Sequence, residues 1–351
     1  MLNIALCSKW HTHHSRYSAD LKSFDDCHIS CVWDEVPERG RAWAAELGDM
    51  PFEADFATML RRPDVDAVCI TAPTAMHKDL CVAAARAGKH IFIEKTLALS
   101  EKDALEVKAA VDAAGVIFTI AFVQKTAGLF ILAKKLLDSG VFGDITMMRI
   151  RNNVGSACTN RFSTSLPYWL DLAPTGGGAM TDLGCHPMYL LEWFFGKPES
   201  VCSTYAYYLG RECEDSAISS FVFNHGKTAA VIESSYGTPY RSLYEFSFYG
   251  TKGAFVSRLC DPVIEIELPT GTVLPPCIAA CAPDSIAGNR SIYKVPRNII
   301  PDETPPIRSF VDACLNGAPI RFGIDQAVSL SKMVEGANIA HHQGIRHRFQ
   351  P

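Results

Sequence analysis

Over the first 122 positions, apolar residues gather into short, nearly continuous runs separated by amphipathic stretches. Asn3–Cys7, Cys27–Trp33, Val65–Thr71, His90–Glu94 and Val116–Phe122 read as strands. Between them, Ser15–Ser23, Pro37–Leu47, Phe56–Leu60, His77–Ala87 and Ser100–Ala114 space their apolar positions as helices do, with Ser100 as an N-cap and Gly88 as a stop. Strands that lack polar alternation are buried on both faces. The alternation therefore predicts an α/β fold, a doubly wound parallel sheet with helices on each side.

The pattern changes near residue 123. Thr126–Ser139 reads as one long helix closed by Gly140. Ile145–Asn152, Ser200–Tyr208, Ala217–Phe223, Thr228–Tyr236, Tyr244–Gly250 and Ala254–Leu259 read as strands, with hairpin signals at Asn224-His225-Gly226 and Gly250-Thr251-Lys252-Gly253. Strands in succession with few helices between them predict an antiparallel sheet. Residues 270–300 read as an irregular excursion, and Thr304–Asn316 and Asp325–Gln343 as closing helices. Two domains are expected, 1–122 and 123–351, with the last helices free to pack back on the first.

Composition narrows the function. Of 351 residues, 48% are hydrophobic and 20% charged, which excludes a disordered or fibrous chain. A net charge of -5 gives no basic excess for nucleic acid or an anionic membrane surface. Apolar stretches such as Gly115–Val123 fall short of the ~18–20 residues that span a bilayer. The N-terminus lacks a basic segment followed by an apolar one, so a cytoplasmic protein is expected. The 13 cysteines are odd in number and scattered, which suits reduced thiols packed as small hydrophobes. Cys277 and Cys281 are close, but no further His or Cys completes a zinc set around them.

Ligands of an open parallel sheet bind beyond the carboxyl ends of its strands, near the reversal of strand order. The turn after the first strand reads Cys7-Ser8-Lys9-Trp10-His11-Thr12-His13-His14. A dinucleotide site there normally carries Gly-x-Gly-x-x-Gly, so that backbone N–H groups reach the pyrophosphate. This window has no glycine. The hydroxyls of Ser8 and Thr12 and the turn's backbone become the candidate phosphate ligands, with Trp10 and His11 lining the crevice. His11, His13 and His14 have a second reading, because His-x-His after a first strand can ligate metal. The chain does not repeat eight βα units as a barrel hydrolase would, so turn residues beside a cofactor are preferred and no metal is expected.

Asp34 ends the second strand about 26 residues after Ser8, near the ~20-residue spacing of the acid that accepts hydrogen bonds from ribose hydroxyls. Such an acid repels a 2′-phosphate and favours NAD over NADP. An exposed loop carboxylate is the alternative, and Glu35 competes for the role. Thr71, Pro73 and His77 lie where the next strand ends and face the middle of the cofactor. Glu94 and Lys95 end the strand after that, where a lysine can meet a cofactor or a substrate oxygen or remain a surface charge. The segment Thr175-Gly176-Gly177-Gly178-Ala179-Met180-Thr181-Asp182-Leu183-Gly184-Cys185-His186-Pro187 is the sharpest local signal. Its glycines allow close approach of another chain segment, and Asp182 and His186, four apart, share a helix face. A carboxylate beside an imidazole handles protons; a capping Asp and a core His are the bland alternative.

Taken together, these motifs resemble the glucose–fructose oxidoreductase, inositol dehydrogenase and rhizopine-catabolism family, Gfo/Idh/MocA. The resemblance rests on Cys31-Val-Trp-Asp34 with Pro37-Glu38-Arg39, Pro63-Asp64-Val65-Asp66-Ala67-Val68 with His77, Ala87-Gly88-Lys89-His90 through Glu94-Lys95, Gly176 to His186, and Gly250-Thr251-Lys252-Gly253. It implies a Rossmann-type NAD-binding domain followed by an α/β domain on a large open, mostly antiparallel sheet. It also implies oxidation of a secondary hydroxyl of a sugar, sugar derivative or cyclitol. Lys95, Asp182 and His186 fall on the family's catalytic positions. The chain departs from the family at the glycine-free first turn, at Thr96 in place of a proline, and at Gln124-Lys125 in place of an arginine-containing pattern.

Asn152, Arg161, Tyr168 and Trp169 are the substrate candidates: Arg and Asn bind hydroxyls or carboxylates, and the two aromatic rings either stack on sugar faces or pack in the core or at a subunit contact. Three competing functions stay open: oxidation at C3 of a glycoside with NAD recycled in place, a non-catalytic ligand or redox sensor, and a metal hydrolase. An open sheet face predicts a homodimer or homotetramer.

Overall fold

The computed structural model describes residues 1–164, 166–238, 242–258 and 261–350. It divides into two compact units, Met1–Val123 with Thr304–Lys332 and Gln124–Glu303 with Met333–Pro351. Residues 304–332 thus fall with the first unit, whereas the sequence reading counted them in the second domain and left them free to pack back.

The first unit runs β1 (Leu2–Cys7), α1 (His14–Lys22), β2 (Cys27–Trp33), α2 (Pro37–Glu46), β3 (Phe52–Glu53), α3 (Phe56–Arg61), β4 (Ala67–Ile70), α4 (Thr74–Arg86), β5 (His90–Ile93), α5 (Glu101–Ala114) and β6 (Phe118–Ile120). These strands form a six-stranded sheet in the order β3-β2-β1-β4-β5-β6, with every pair parallel. Strand order reverses between β1 and β4, the ligand position of such sheets. Leu6, Tyr17, Val32, Trp43, Phe92 and Phe310 belong to one buried cluster on the sheet. Ser100 caps α5 as its sequence position suggested, its hydroxyl accepting the Asp103 N–H at 3.1 Å. Helix α4 begins three residues before the predicted His77, because Pro73 fixes the backbone at its entry with φ -55°.

The second unit contains α6 (Gly128–Asp138), β7 (Ile145–Asn153), α7 (Leu172–Thr175), α8 (Cys185–Phe195), β8 (Ser200–Ala206), β9 (Ser216–Phe223), β10 (Thr228–Ser235), β11 (Ser242–Gly250), β12 (Ala254–Ser257), β13 (Val263–Pro269), β14 (Ser285–Ala287), β15 (Arg290–Pro296) and β16 (His347–Arg348). The strand predicted over 254–259 ends at Ser257; Leu259 lies outside the described residues. Helix α9 (Pro306–Asn316) belongs to the first unit, and the division between units falls within α10 (Ile324–Gln343). Ten strands form one sheet in the order β14-β15-β13-β12-β11-β7-β10-β9-β8-β16, antiparallel except for β7 beside β10. Helix α8 packs on the inner face of β7 and β10. The irregular excursion expected over 270–300 is corrected in part. Arg290–Pro296 is a strand, paired antiparallel with β13, and both alternate buried and half-exposed positions as one-sided strands do. No described helix is long and apolar enough to cross a membrane.

Candidate active site

In the first unit, the β1–α1 turn takes up a glycine-like backbone without glycine. Ser8 is fully buried with φ +74°, in the left-handed region that favours glycine. It is held on every side: its N–H donates to Trp33 O (2.7 Å), the Thr71 hydroxyl donates to its carbonyl (2.5 Å), and its own hydroxyl accepts the Trp10 N–H (3.1 Å). Trp10 and His11 are buried and Thr12 is exposed. Asp34 is buried at the end of β2, and its carboxylate accepts the N–H groups of Lys9 and Val36, each at 2.8 Å, and both Nε and Nη2 of Arg39. A guanidinium therefore stands beside the predicted ribose ligand, a feature not read from the sequence.

Pro73 caps the start of α4, and His77 is buried with Nε2 2.9 Å from Ala72 O and Nδ1 2.8 Å from Thr96 O. Its role in this geometry is to tie the end of β4 to the chain after β5, and burial pushes its pKa down. The Lys95–Thr96 peptide is cis. Lys95 is buried, at 5% exposure. Glu94, 1% exposed, faces four residues: His13 Nδ1 at 2.7 Å, the Tyr17 hydroxyl, the Lys95 N–H at 3.1 Å and His11 Nε2 at 4.0 Å. Burial alone raises a carboxyl pKa, but the imidazoles of His11 and His13 and the Lys95 ammonium hold Glu94 well below the usual range.

In the second unit, the chain reaches the Asp182–His186 pair through a left-handed turn and a close approach. Gly176 ends α7 with φ +71°, and any Cβ on Gly178 would meet Glu214 O at 1.8 Å. The Glu214 carboxylate accepts the N–H groups of Gly178 (2.9 Å) and Met180 (2.8 Å). Burial raises its pKa, and those two N–H groups offset only part of the rise. Met180–Gly184 then forms a π turn that runs straight into α8, where the sequence put Asp182 and His186 on one helix face. Such wide turns inside helices recur at functional sites.

Asp182 Oδ2 accepts the Tyr236 hydroxyl (2.6 Å) and the Trp169 indole N–H (3.2 Å). His186 is buried, with Nδ1 2.9 Å from the Tyr189 hydroxyl, and that oxygen also accepts the Gln124 N–H at 3.1 Å. Lys125 Nζ lies 5.9 Å from the centre of the Tyr189 ring. Burial pushes the Lys125 ammonium down to about 8, against the attraction of Glu192. Trp169, for which stacking on a sugar and packing in the core were both open, has a buried ring whose N–H donates to Asp182. Tyr168 is half-buried and Arg161 exposed on the 154–171 loop. Asn152 donates to Leu183 O at 2.9 Å, while its Oδ1 is buried without a partner among the described residues, as are Asn153 Oδ1, Thr181 Oγ1 and Ser234 Oγ. Folded proteins rarely leave such atoms unsatisfied, so these are natural receivers for hydroxyl groups or water.

Tyr189 was within reach of sequence reasoning, one helical turn after His186. Tyr236 and Glu214 carry no local signal, because they arrive from distant strands.

Residues 7–122 match a family described as the oxidoreductase family with an NAD-binding Rossmann fold, and residues 130–256 match the GFO/IDH/MocA C-terminal domain. The chain is 27% identical over 239 residues to scyllo-inositol 2-dehydrogenase (NAD(+)) of Bacillus subtilis (strain 168), covering 66% of each protein. It is 27% identical over 240 residues to 1,5-anhydro-D-fructose reductase of Ensifer adhaerens, covering 67% of this chain and 68% of that one. The matched stretches thus span about two thirds of these relatives. Among solved structures, levoglucosan dehydrogenase in complex with NADH and levoglucosan shares the fold, with a TM-score of 0.82 at 18% identity over all of both chains.

Proposed function

The chain belongs to the GFO/IDH/MocA family of NAD-binding oxidoreductases, and on that premise we propose that it is an NAD-dependent dehydrogenase acting on a secondary hydroxyl of a sugar, sugar derivative or cyclitol. The residues of the first unit fit a dinucleotide. Ser8 supplies the left-handed turn backbone after β1, and Asp34, buried just after β2, is the proposed ribose ligand. The reading takes Ser8, Trp10, His11, Thr12, Asp34, Thr71, Pro73, His77, Glu94 and Lys95 as the cofactor's surroundings. Nicotinamide, when bound, supplies the hydride acceptor. Asp34 favours NAD; Arg39 beside it makes the NADP control necessary.

The observation that carries the proposal is the hydrogen-bonded setting of His186. The Tyr189 oxygen has two lone pairs and one proton. With the Gln124 N–H on one lone pair, it can take an Nδ1–H from His186 on the other, leaving Nε2 to accept the substrate's hydroxyl proton as the C–H hydride departs and the C–O bond becomes a carbonyl. It can equally donate to Nδ1, which leaves Nε2 protonated for the reverse reaction. By resemblance, Lys95 stabilises the negative charge that grows on the substrate oxygen. Asp182, held by Tyr236 and Trp169, orients the substrate and tunes the imidazole. Asn152, Arg161, Tyr168 and Trp169 are proposed to shape the sugar site. The outward face of the large sheet carries exposed Met147 and Tyr249, paired across β7 and β11, which supports self-association as a dimer or tetramer.

A screen of sugars, cyclitols and glycosides with NAD and NADP tests the proposal by nicotinamide absorbance. The expected outcome is NADH accumulation with at least one polyol, and a fall of about 10²–10⁴-fold in turnover for His186→Ala with NAD binding intact. Unchanged turnover in that variant removes His186 from the mechanism. Release of aglycone without NADH assigns the chain instead to glycoside C3 oxidation with recycled NAD. Loss of all nicotinamide binding leaves a sensor.

A further inference from the structure

We propose that His11, His13 and Glu94 form a binding site for a divalent cation of zinc-like character. The three residues come from two elements of one unit. His11 and His13 lie on the β1–α1 turn, and Glu94 follows β5 directly. One nitrogen of each imidazole and an oxygen of the carboxylate all lie within 4.8 Å of one another. His13 Nδ1 is 2.7 Å from Glu94 Oε1, and His11 Nε2 is 4.0 Å from Oε2. A tetrahedral zinc with bonds of about 2.0–2.2 Å sets its ligand atoms roughly 3.3–3.5 Å apart, so the two observed separations bracket the required one. Rotation of the two imidazoles closes the set around one carboxylate oxygen and leaves a fourth position open.

The chemistry of the donors agrees. A carboxylate at 1% exposure needs a cation or hydrogen-bond donors around it. Each oxygen has two lone pairs. Oε1 meets the Tyr17 hydroxyl and His13; Oε2 accepts the Lys95 N–H and faces His11. Tyr17 and the Lys95 N–H thus act as the outer restraints that orient ligating carboxylates, and they leave the lone pairs toward the imidazoles for the ion. The His13 N–H donates to His11 Nδ1 at 3.1 Å, which puts the proton of a neutral His11 on Nε2. Binding through Nε2 therefore moves that proton to Nδ1 and gives up the contact from the His13 N–H in return for a metal–nitrogen bond. The cysteines offer a rival soft site at Cys277 and Cys281, distinguishable by its sulfur donors.

The test is a cobalt(II) titration of the full chain, stripped with chelator and followed by visible absorption. One equivalent per chain is expected, with the intense d–d bands of a four-coordinate nitrogen–oxygen site, no thiolate charge-transfer band, and displacement by zinc. His13 is half-exposed, so His13→Gln keeps the fold, checked by circular dichroism, and is expected to abolish saturable binding. Tyr17→Phe is expected to weaken it about 10–100-fold, which a site elsewhere would not show. Absence of saturable binding, a thiolate band, or unchanged affinity in His13→Gln each overturns the proposal. None of these readouts depends on the dehydrogenase activity.

Discussion

Glu94 and Glu214 are both buried carboxylates, at 1% and 3% exposure, and their surroundings drive them in opposite directions. Glu94 is ringed by ionisable side chains, His11, His13 and Tyr17, with Lys95 next in sequence. Glu214 is met by the main-chain N–H groups of Gly178 and Met180. Burial raises both pKa values. The neighbouring imidazoles and the Lys95 ammonium overcome it at Glu94, and two peptide dipoles do not at Glu214. The first carboxylate is an electrostatic centre; the second is a clamp that shapes the path into the π turn carrying Asp182.

The largest test of that contrast is Glu94→Ala. Removing one partner from a buried charged group is expected to cost about 3–5 kcal/mol by urea denaturation at neutral pH. A loss under about 1 kcal/mol would erase the distinction. Glu214→Ala leaves two buried N–H groups without an acceptor and is expected to cost about 2–4 kcal/mol.

Glu214→Gln then separates charge from clamp. The native pKa of Glu214 is raised, so the folded state binds this proton more tightly than the unfolded one. Stability of the wild type relative to Glu214→Gln should be greatest below the ordinary value of 4.5 and fall as pH rises through the native pKa. A rise over that range would contradict the assignment.

Lys125 extends the comparison to a buried cation. Its pKa falls from 10.5 to about 8, so between those values the unfolded state holds more protons and stability rises with pH. Lys125→Met should therefore be more stable than the wild type at neutral pH by about 1–3 kcal/mol, a gain that shrinks above about pH 8 and is gone near 10.5. Equal pH dependence of the two proteins would refute this. Ser100→Ala, the loss of an ordinary helix cap with no buried charge, sets the baseline at about 1 kcal/mol by the same measurement.

Most of the first unit was legible as pattern. Cys27–Trp33 is a strand over the range its apolar run predicted, and the Ser100 cap stands where its sequence position put it. Both depend on residues within one turn or one strand of each other. Arg290–Pro296 alternates as a strand should, yet the proline-, glycine- and cysteine-bearing segment before it hid the period, and its partner β13 lies across a long loop. At the site, Asp182 and His186 were found by spacing. The groups that hold them were not: Tyr236 sits 54 positions from Asp182, and Glu214 36 from Gly178.

The sequence by itself determined the alternation of strand and helix, the change of architecture near residue 123 and the residue types able to move a proton. Those follow from periodicity and local chemistry, which neighbours along the chain decide. Only the tertiary structure decided that Ser8 adopts a glycine's backbone, that Arg39 grips Asp34, and that two histidines on a turn meet a carboxylate 81 positions away from His13. Positive φ at a serine, a partly buried ion pair and a three-residue cluster each cost free energy locally. They persist because contacts from distant strands offset that cost, and no short window of sequence contains those contacts.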